Sequence, residues 1–323
     1  MDVGTFCAQS RVLIVAGKGG VGKTTMTAAL ARMASQTGRS VLIVELEGKS
    51  GITGAFGLGH DLGYEEVELQ AARSAAQGEV RARRITPDDA LVEYLEDHGL
   101  RRVSKRLVSS GVVDVVSTAI PGIRDVLVLG KIKQLEREGV ADLIVVDAPA
   151  TGHAITFLTS ASGLVNAARG GPLRTQASDV VELLADPSRC RVLLVTLPED
   201  MPVSETIESA FTLEDKAGVQ LGPVIVNATD PVPKDLERSA QEVAAGLEVD
   251  ASLLAALEAA RRFRLERHAI SAAQIERLAR DLPLPQLLVP TVPAETIGVA
   301  ETDLLATALA SAIGQLVPEV PAT

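Results

Sequence analysis

A glycine-rich loop between an apolar run and a helix-compatible stretch is the feature that most constrains how this chain folds. Residues 11–25 are RVLIVAGKGGVGKTT. Within them, residues 17–24 fit the pattern G-x-x-x-x-G-K-[ST]. The apolar strand before this pattern and the helix after it, expected at about residues 22–37, are the context that the pattern requires. The sequence therefore predicts a strand, a loop that binds phosphate groups and a helix, in that order.

The residues of this loop suit a nucleotide and its magnesium ion. Glycine lets successive backbone N–H groups point at phosphate oxygens, where a side chain would obstruct the approach. Lys23 is expected to act in catalysis by neutralising charge on the β- and γ-phosphates, and the Thr24 hydroxyl is expected to bind Mg²⁺. The predicted ATP-binding residues of the loop are Gly17, Lys18, Gly19, Gly20, Val21, Gly22, Lys23, Thr24 and Thr25.

Five short apolar runs predict the strands of a parallel sheet. Longer helix-compatible stretches separate most of these runs, and strands that are apolar on both faces are typical of a sheet covered by helices on two sides. We therefore expect an α/β, three-layer P-loop NTPase fold with a mostly parallel central sheet. The predicted strands are Val12–Ala16, Val41–Val44, Leu143–Val146, Val192–Val195 and Val224–Val226.

The other segments are assigned to the same single domain, residues 1–323. Residues 48–63 are rich in glycine, which predicts a mobile surface loop. Two helical patterns follow within residues 87–138, and we interpret them as a helical subdomain inserted into the α/β core. Further helices are expected at residues 234–246 and 252–280.

A carboxylate stands at the end of the third apolar run. Asp147 follows Leu143–Val146, so its side chain should lie at the carboxyl edge of the sheet, near the phosphate-binding loop. There it can hold Mg²⁺ through a water molecule, as the acid of a Walker B motif does. Together with Thr24 it forms the predicted metal site.

The segment D-A-P-A-T-G-H, which begins at Asp147, resembles switch II of the arsenical pump-driving and tail-anchored-protein-targeting ATPases. The loop, with Lys18 directly after its first glycine, is similar to the deviant Walker A loop of that family. Single-module bacterial relatives with a VELEG-like switch I also resemble this chain, and some occur as paired neighbouring paralogues. Further matching segments follow in the family's order, over nearly the whole chain: VLIVELEG, ITPDDALVEYL, LPEDMPVSET, VIVNATD and LLVPTVPAE.

The resemblance implies roles for individual residues. Lys18 would act in catalysis by reaching across a dimer interface to the partner's nucleotide. Asn227 would bind the adenine ring of ATP, and Pro293 would lie in the loop that covers this ring. Glu47 occupies the switch I position, where the family usually has an aspartate that orients the attacking water. The implied switch II residues are Asp147, Thr151, Gly152 and His153, and His153 is a candidate sensor of the γ-phosphate.

Glu47 departs from the family's pattern. One extra methylene group moves a carboxylate by about 1.5 Å, and a misplacement of about 1 Å can lower a rate by about 100-fold. Either the loop compensates, or hydrolysis is slow and the binding of ATP matters more than its turnover. Glu45 is the alternative acid, because strand alternation places it on the same side as Glu47.

The charge and the cysteine content of the chain restrict the partners that it can bind. A net charge of −11 would repel a nucleic-acid backbone, so nucleic-acid binding is not expected. Cys7 and Cys190 provide neither the cysteine cluster of the arsenite branch nor the CxxC zinc site of the eukaryotic tail-anchor branch. The resemblance implies a homodimer, or a heterodimer with a paralogous subunit, that acts on a hydrophobic or membrane-protein client. The apolar stretch 107–130 either contributes to a client surface or packs on the sheet or a partner subunit.

Three functions remain open. The first is a cytoplasmic, dimeric ATPase that hydrolyses ATP to ADP and phosphate and couples dimer closure to a client. The second is a nucleotide-dependent assembly module with negligible turnover. The third, a partition or septum-site ATPase, needs a basic membrane-seeking or DNA-binding surface, whereas the last basic residue, Arg280, precedes the helix expected near residues 296–316.

We expect a cytoplasmic protein, because the sequence contains neither a targeting pattern nor a membrane-spanning pattern. The first ten residues, MDVGTFCAQS, do not contain a basic segment followed by an apolar one. No uninterrupted run of about 18 apolar residues occurs in the sequence. The most apolar region, residues 111–130, is interrupted by charged residues and a proline, which predicts a buried or interfacial segment.

Overall fold

The strands of the protein form one mixed sheet. The computed structural model describes residues 1–46, 51–72, 74, 76–97, 122–230 and 236–316. In these ranges eight strands follow the order β3-β4-β2-β5-β1-β6-β7-β8, and each neighbouring pair is parallel except β3 and β4. The strands are β1 (Val12–Gly17), β2 (Val41–Glu45), β3 (Val67–Gln70), β4 (Val80–Arg84), β5 (Leu143–Ala150), β6 (Cys190–Thr196), β7 (Val224–Thr229) and β8 (Gln286–Pro290).

Helices cover both faces of this sheet, so the predicted three-layer α/β fold is confirmed. The helices α2 and α11 pack on one face, and α5, α6, α7 and α8 pack on the other. The helices of the described ranges are α1 (Val3–Ala8), α2 (Lys23–Ser35), α3 (Gly51–Ala55), α4 (Pro87–Asp97), α5 (Ile123–Glu138), α6 (Thr151–Ala167), α7 (Pro172–Ala185), α8 (Asp200–Ala217), α9 (Ala240–Val243), α10 (Ala251–Asp281) and α11 (Val299–Gly314).

The central strands are apolar on both faces because each face is buried. Leu13 and Val15 of β1 pack with α2, whereas Ile14 and Ala16 pack in the core on the opposite face. All residues of β1 and β2 are buried. This double burial explains why the five predicted strands, which correspond to β1, β2, β5, β6 and β7, could be recognised as continuous apolar runs, and all five are confirmed.

Three strands at the sides of the sheet were not predicted. β4 has the sequence VRARR, whose arginines hide the pattern of a buried strand. β8 forms one edge of the sheet and leaves Leu288 44 % exposed. β3, at the other edge, pairs with β4 in antiparallel orientation through only a few residues. Edge strands lack a neighbour on one side, so they do not need the continuous apolar pattern of central strands.

The prediction of a mobile loop over residues 48–63 was wrong for its middle part. Residues 51–55 form the short helix α3, and its Ile52 is fully buried against the core that contains α2. Gly51 is needed for close approach, because a Cβ atom there would lie 2.8 Å from Cγ2 of Thr24. Glycine in this stretch therefore permits tight packing beside the glycine-rich loop.

The predicted helices after residue 86 are found where the structure describes them. Both α4 and α5 match the helical patterns within residues 87–138, and α10 matches the helix expected at 252–280. The segment 234–246 is helical only over the four residues of α9 among those described. Most of the stretch 107–130 lies outside the described residues, and the inserted subdomain stays a prediction. Among the described helices, none has the length and apolarity of a membrane-spanning segment.

We predict that the helix α5 contributes strongly to stability. Ile132 lies on α5, is fully buried and packs in the core between this helix and the sheet. Replacing Ile132 by Ala should lower the free energy of unfolding by about 2–5 kcal/mol, because the change removes buried methylene groups and leaves a cavity. Urea unfolding followed by circular dichroism measures this change. The matched control is Glu138→Ala at the exposed end of the same helix, which should stay within about 0.5 kcal/mol of the wild type; equal effects would contradict the prediction.

Candidate functional site

The glycine-rich loop connects β1 to α2 through backbone conformations that require glycine. Gly22 has φ +92° and precedes the first helical residue, Lys23. A Cβ atom on Gly22 would also lie 2.4 Å from Nδ2 of Asn227. At the start of the loop, a Cβ atom on Gly17 would lie 2.3 Å from the carbonyl oxygen of Val195. The loop is therefore held tightly against the ends of β6 and β7, and α2 begins directly after it.

Asn227 links the end of β7 to this loop. Its Nδ2 donates a hydrogen bond to the carbonyl oxygen of Val21 at 2.9 Å, and its Oδ1 accepts one from the backbone N–H of Ala228 at 2.8 Å. Ala228 has φ +55°, a left-handed conformation that is uncommon for alanine. The pairing of β7 with β8 is irregular at this point, between Val226 and Thr229. This irregularity turns the amide of Asn227 toward the loop.

The two lysines of the loop have different neighbours. Nζ of Lys23 donates a hydrogen bond to the carbonyl oxygen of Lys18 at 3.2 Å, across the mouth of the loop. Nζ of Lys18 instead pairs with Oε1 of Glu205 on α8 at 2.5 Å. Both side chains of this ion pair are about one third exposed, 32 % and 36 %. Lys18 is thus held by an acid of its own chain at a partly exposed position.

Thr24 and Asp147 lie together, as the sequence predicts for a metal site. The Thr24 hydroxyl donates a hydrogen bond to Oδ2 of Asp147 at 2.7 Å. Asp147 is 8 % exposed and lies on β5, which is paired with β1 directly before the loop. A hydroxyl and a carboxylate are the oxygen donors that Mg²⁺ prefers. These two residues fit a magnesium ion bound together with phosphate groups.

A third charged side chain lies beside Asp147. Glu45 ends β2, where it pairs in register with Asp147 on one side and with Arg84 of β4 on the other. Nε of Arg84 lies 3.2 Å from Oε2 of Glu45, whose side chain is only 1 % exposed. By strand alternation, all three side chains point to the face of the sheet that packs against α2, since Val41, Ile43, Val80, Ala82, Leu143 and Val145 of the same strands do so.

Three further predicted site residues lie at the start of α6, and a fourth follows β8. Thr151 is the first residue of α6, and Gly152 and His153 follow it on the exposed side of the helix start. Pro293 is exposed after β8, close to a hydrogen bond of 3.0 Å from the backbone N–H of Thr291 to the carbonyl oxygen of Thr229. Glu47 lies outside the described residues, so its role stays a prediction.

Two charged residues near the site were not predicted. Glu205 lies within the quoted segment LPEDMPVSET, but its pairing with Lys18 joins residues 187 positions apart. Arg84 lies on a strand that the apolar pattern did not reveal. The three arginines of VRARR were the available signal, and charge in a strand does not by itself identify a partner.

The two cysteines lie on opposite faces of the sheet. Cys7 packs in the core that contains α2, and Cys190 packs in the core on the other side. Burial raises the pKa of the Cys7 thiol to about 11 and that of the Cys190 thiol to about 12. Thiolates are the form that binds soft metals and arsenite-like ligands. The sheet therefore prevents these two thiols from forming a shared site.

Comparison with known proteins identifies the family. A model described as an anion-transporting ATPase matches residues 10–168. ATPase BagA of Mycobacterium tuberculosis is 38 % identical over 258 residues, which are 76 % of this chain and 74 % of BagA. ATPase get3 of Schizosaccharomyces japonicus is 28 % identical over 177 residues, 52 % of each chain.

The arsenical pump-driving ATPase of Escherichia coli is 29 % identical over 224 residues, which are 67 % of this chain and 34 % of that protein. The resemblance implied by the loop and by switch II is confirmed by these matches. Because the family model spans the loop and Asp147, and the similarity to BagA extends over most of both chains, this chain belongs to the anion-transporting ATPase family.

Proposed function

We propose that this protein binds ATP with Mg²⁺, hydrolyses it to ADP and phosphate, and uses the cycle to switch a dimer between open and closed states. The observation that supports the proposal best is the hydrogen bond of 2.7 Å between Thr24 and Asp147 at the mouth of the loop. Thr24 directly follows Lys23, the lysine that is expected to bind phosphate, so this bond supports a metal site beside the phosphates. Charge stabilisation and positioning are the main needs of phosphoryl transfer.

Backbone and side-chain groups of the site would bind different parts of the nucleotide and its Mg²⁺. Backbone N–H groups between Gly17 and Thr25 would receive the phosphate oxygens, and Lys23 would exchange its present bond to the carbonyl oxygen of Lys18 for the β- and γ-phosphates. Thr24 would bind Mg²⁺ directly, and Asp147 would do so through a water molecule. Bound Mg²⁺ would supply positive charge that neutralises the phosphate oxygens during transfer.

Asn227 has the hydrogen-bonding capacity to select adenine. One hydrogen of its Nδ2 is used by Val21 and one lone pair of its Oδ1 by Ala228, which leaves one donor and one acceptor. Adenine offers a matching acceptor at N7 and donor at N6, whereas guanine offers two acceptors there. We therefore assign the base to the space beside Asn227, with Pro293 covering it.

We further propose that Lys18 acts on the nucleotide of a second subunit. Its partial exposure supports this role, since a lysine held by a partly exposed ion pair can be released at little cost. The second subunit is either another copy of this chain or a paralogue. Glu47 is assigned the role of orienting the attacking water, because Arg84 already engages Glu45.

The client is proposed to be a protein with a hydrophobic or membrane-inserted segment. Part of the apolar stretch 107–130 would then contribute to the client surface. A net charge of −11 supports a protein client over a nucleic acid. We assign this ATP-dependent activity to the cytoplasm, where ATP is available.

We predict that Lys23 is required for binding of ATP. Replacing Lys23 by Ala should weaken binding at least tenfold, because a charge-assisted hydrogen bond to phosphate is worth about 1.5–3 kcal/mol. The measurement is a titration with a fluorescent ATP analogue in the presence of Mg²⁺. Lys216→Ala, at the exposed end of α8, is the matched control and should bind as the wild type does; an unchanged affinity of Lys23→Ala would contradict the assignment.

The action of Lys18 in trans predicts complementation between two inactive variants. Lys18→Ala should bind ATP within about twofold of the wild type but release phosphate at least about tenfold more slowly, because it lacks only the charge that acts on the partner. Lys23→Ala cannot use its own nucleotide but still carries Lys18. A mixture of the two should therefore release phosphate faster than the sum of both alone. If mixing produces no gain while both variants remain folded, Lys18 does not act across an interface.

The length of Glu47 predicts slow hydrolysis. Glu47→Asp should raise the rate of phosphate release by about 10- to 100-fold, because it restores the reach of the carboxylate toward the attacking water. Phosphate release under saturating ATP measures the effect, and Glu47→Gln is the inactive control. Release from Glu47→Asp with none from the wild type would favour the second function, a nucleotide-dependent assembly module. Equal rates for both would instead show that the loop compensates for the extra methylene group.

A further inference from the structure

A row of three charged side chains crosses the sheet beside the proposed metal site. Arg84, Glu45 and Asp147 occupy the same register level on β4, β2 and β5, which are adjacent strands. Thr24 reaches the end of this row through its bond to Asp147. The row therefore consists of one positive charge followed by two negative charges, with a hydroxyl at the negative end.

Two carboxylates in this arrangement would attract a divalent cation without any nucleotide. Neighbouring strands lie about 4.8 Å apart, so the side chains of Glu45 and Asp147 start at a distance that one cation can bridge. Glu45 and Asp147 are both buried, where charges are poorly screened by water. With the Thr24 hydroxyl they would provide three oxygen donors of the kind that Mg²⁺ and Mn²⁺ accept.

Arg84 opposes this outcome by engaging Glu45 from the side away from Asp147. Its Nε lies 3.2 Å from Oε2 of Glu45, and the register places Glu45 between Arg84 and Asp147. The guanidinium group is always charged and holds several donors in a rigid plane, so it fixes a carboxylate better than a lysine does. With Arg84, the three side chains of the row together carry a net charge of about −1, whereas the two carboxylates alone carry about −2.

We propose that Arg84 is a positioning residue that holds Glu45 away from Mg²⁺, so that the cation binds only together with the phosphates of a nucleotide. Asp147 and Thr24 then form an incomplete cation site, and phosphate oxygens complete it. Metal without nucleotide, which would neutralise the carboxylates before the phosphates arrive, is excluded. This inference rests on the proposed magnesium-dependent ATP site.

The neighbouring residue Arg83 provides a matched control. It lies on the same strand but points to the opposite face, where its guanidinium group lies 4.4 Å from the centre of the Tyr64 ring. Its carboxylate neighbour is Glu66, at 3.8 Å. Replacing Arg83 by Gln therefore removes one positive charge from β4 without releasing Glu45.

The test is a titration of the nucleotide-free protein with Mn²⁺, in which electron paramagnetic resonance measures the free ion. Wild type should bind weakly, and Arg84→Gln should bind at least tenfold more tightly, because one more negative charge then faces a divalent ion. The double variant Glu45→Gln with Arg84→Gln should return to the wild-type level. Arg84→Lys, which keeps the positive charge, should bind Mn²⁺ almost as weakly as the wild type does. Arg83→Gln should have the same Mn²⁺ affinity as the wild type.

Several outcomes would overturn the role of Arg84. They are an unchanged affinity of folded Arg84→Gln, an equal gain in Arg83→Gln, or tight Mn²⁺ binding by the nucleotide-free wild type. Arg84→Met, which keeps an apolar stem, replaces Arg84→Gln if circular dichroism shows that the latter does not fold. The titration needs no nucleotide, so its failure contradicts this inference alone, whereas failure of the wild type to bind ATP with Mg²⁺ would contradict the proposed function.

Discussion

The hydrogen bond between the Thr24 hydroxyl and the Asp147 carboxylate joins the first turn of α2 to the end of β5. Asp147 is buried and Thr24 is half-buried, so their mutual bond satisfies a carboxylate oxygen that would otherwise be costly to bury. Apolar packing holds α2 on the sheet, and this contact, with the tight loop before it, fixes the first turn of the helix beside β5. Asn227 strengthens the same corner by binding the loop from β7. The phosphate-binding loop is therefore supported by β5 on one side of β1 and by β7 on the other side.

Charge around this corner is arranged in pairs within one subunit. Lys18 is held by Glu205, and Glu45 is held by Arg84. The first pair is partly exposed and can break at little cost, whereas the second involves a buried carboxylate and is costly to separate. This difference in burial suits different tasks. A partly exposed pair suits a residue that must change partners, and a buried pair suits a residue that must stay in place while the nucleotide site fills and empties.

Two cores on opposite faces of the sheet support the site in different ways. The core around α2 and α11 carries the loop, α3 and the row of charged side chains at its edge. The core on the other face contains the helices α5 to α8. Helix α6 begins in the switch II segment, and α8 carries Glu205. Changes at the nucleotide could reach both layers, because β1 and β5 contribute side chains to both. Similarity to BagA across most of the chain agrees with a shared architecture of this kind.

The sequence by itself determined the phosphate-binding loop, Asp147, the five central strands and the family. These features are local: a loop pattern of eight residues or a continuous apolar run appears within one short window. The tertiary structure alone decided that α3 forms within the glycine-rich stretch, that VRARR is a strand, and that Lys18 and Arg84 have their particular partners. The Lys18–Glu205 pair joins residues 187 positions apart and the Arg84–Glu45 pair joins residues 39 positions apart. Such contacts depend on strand order and register, which arise only when the whole sheet assembles.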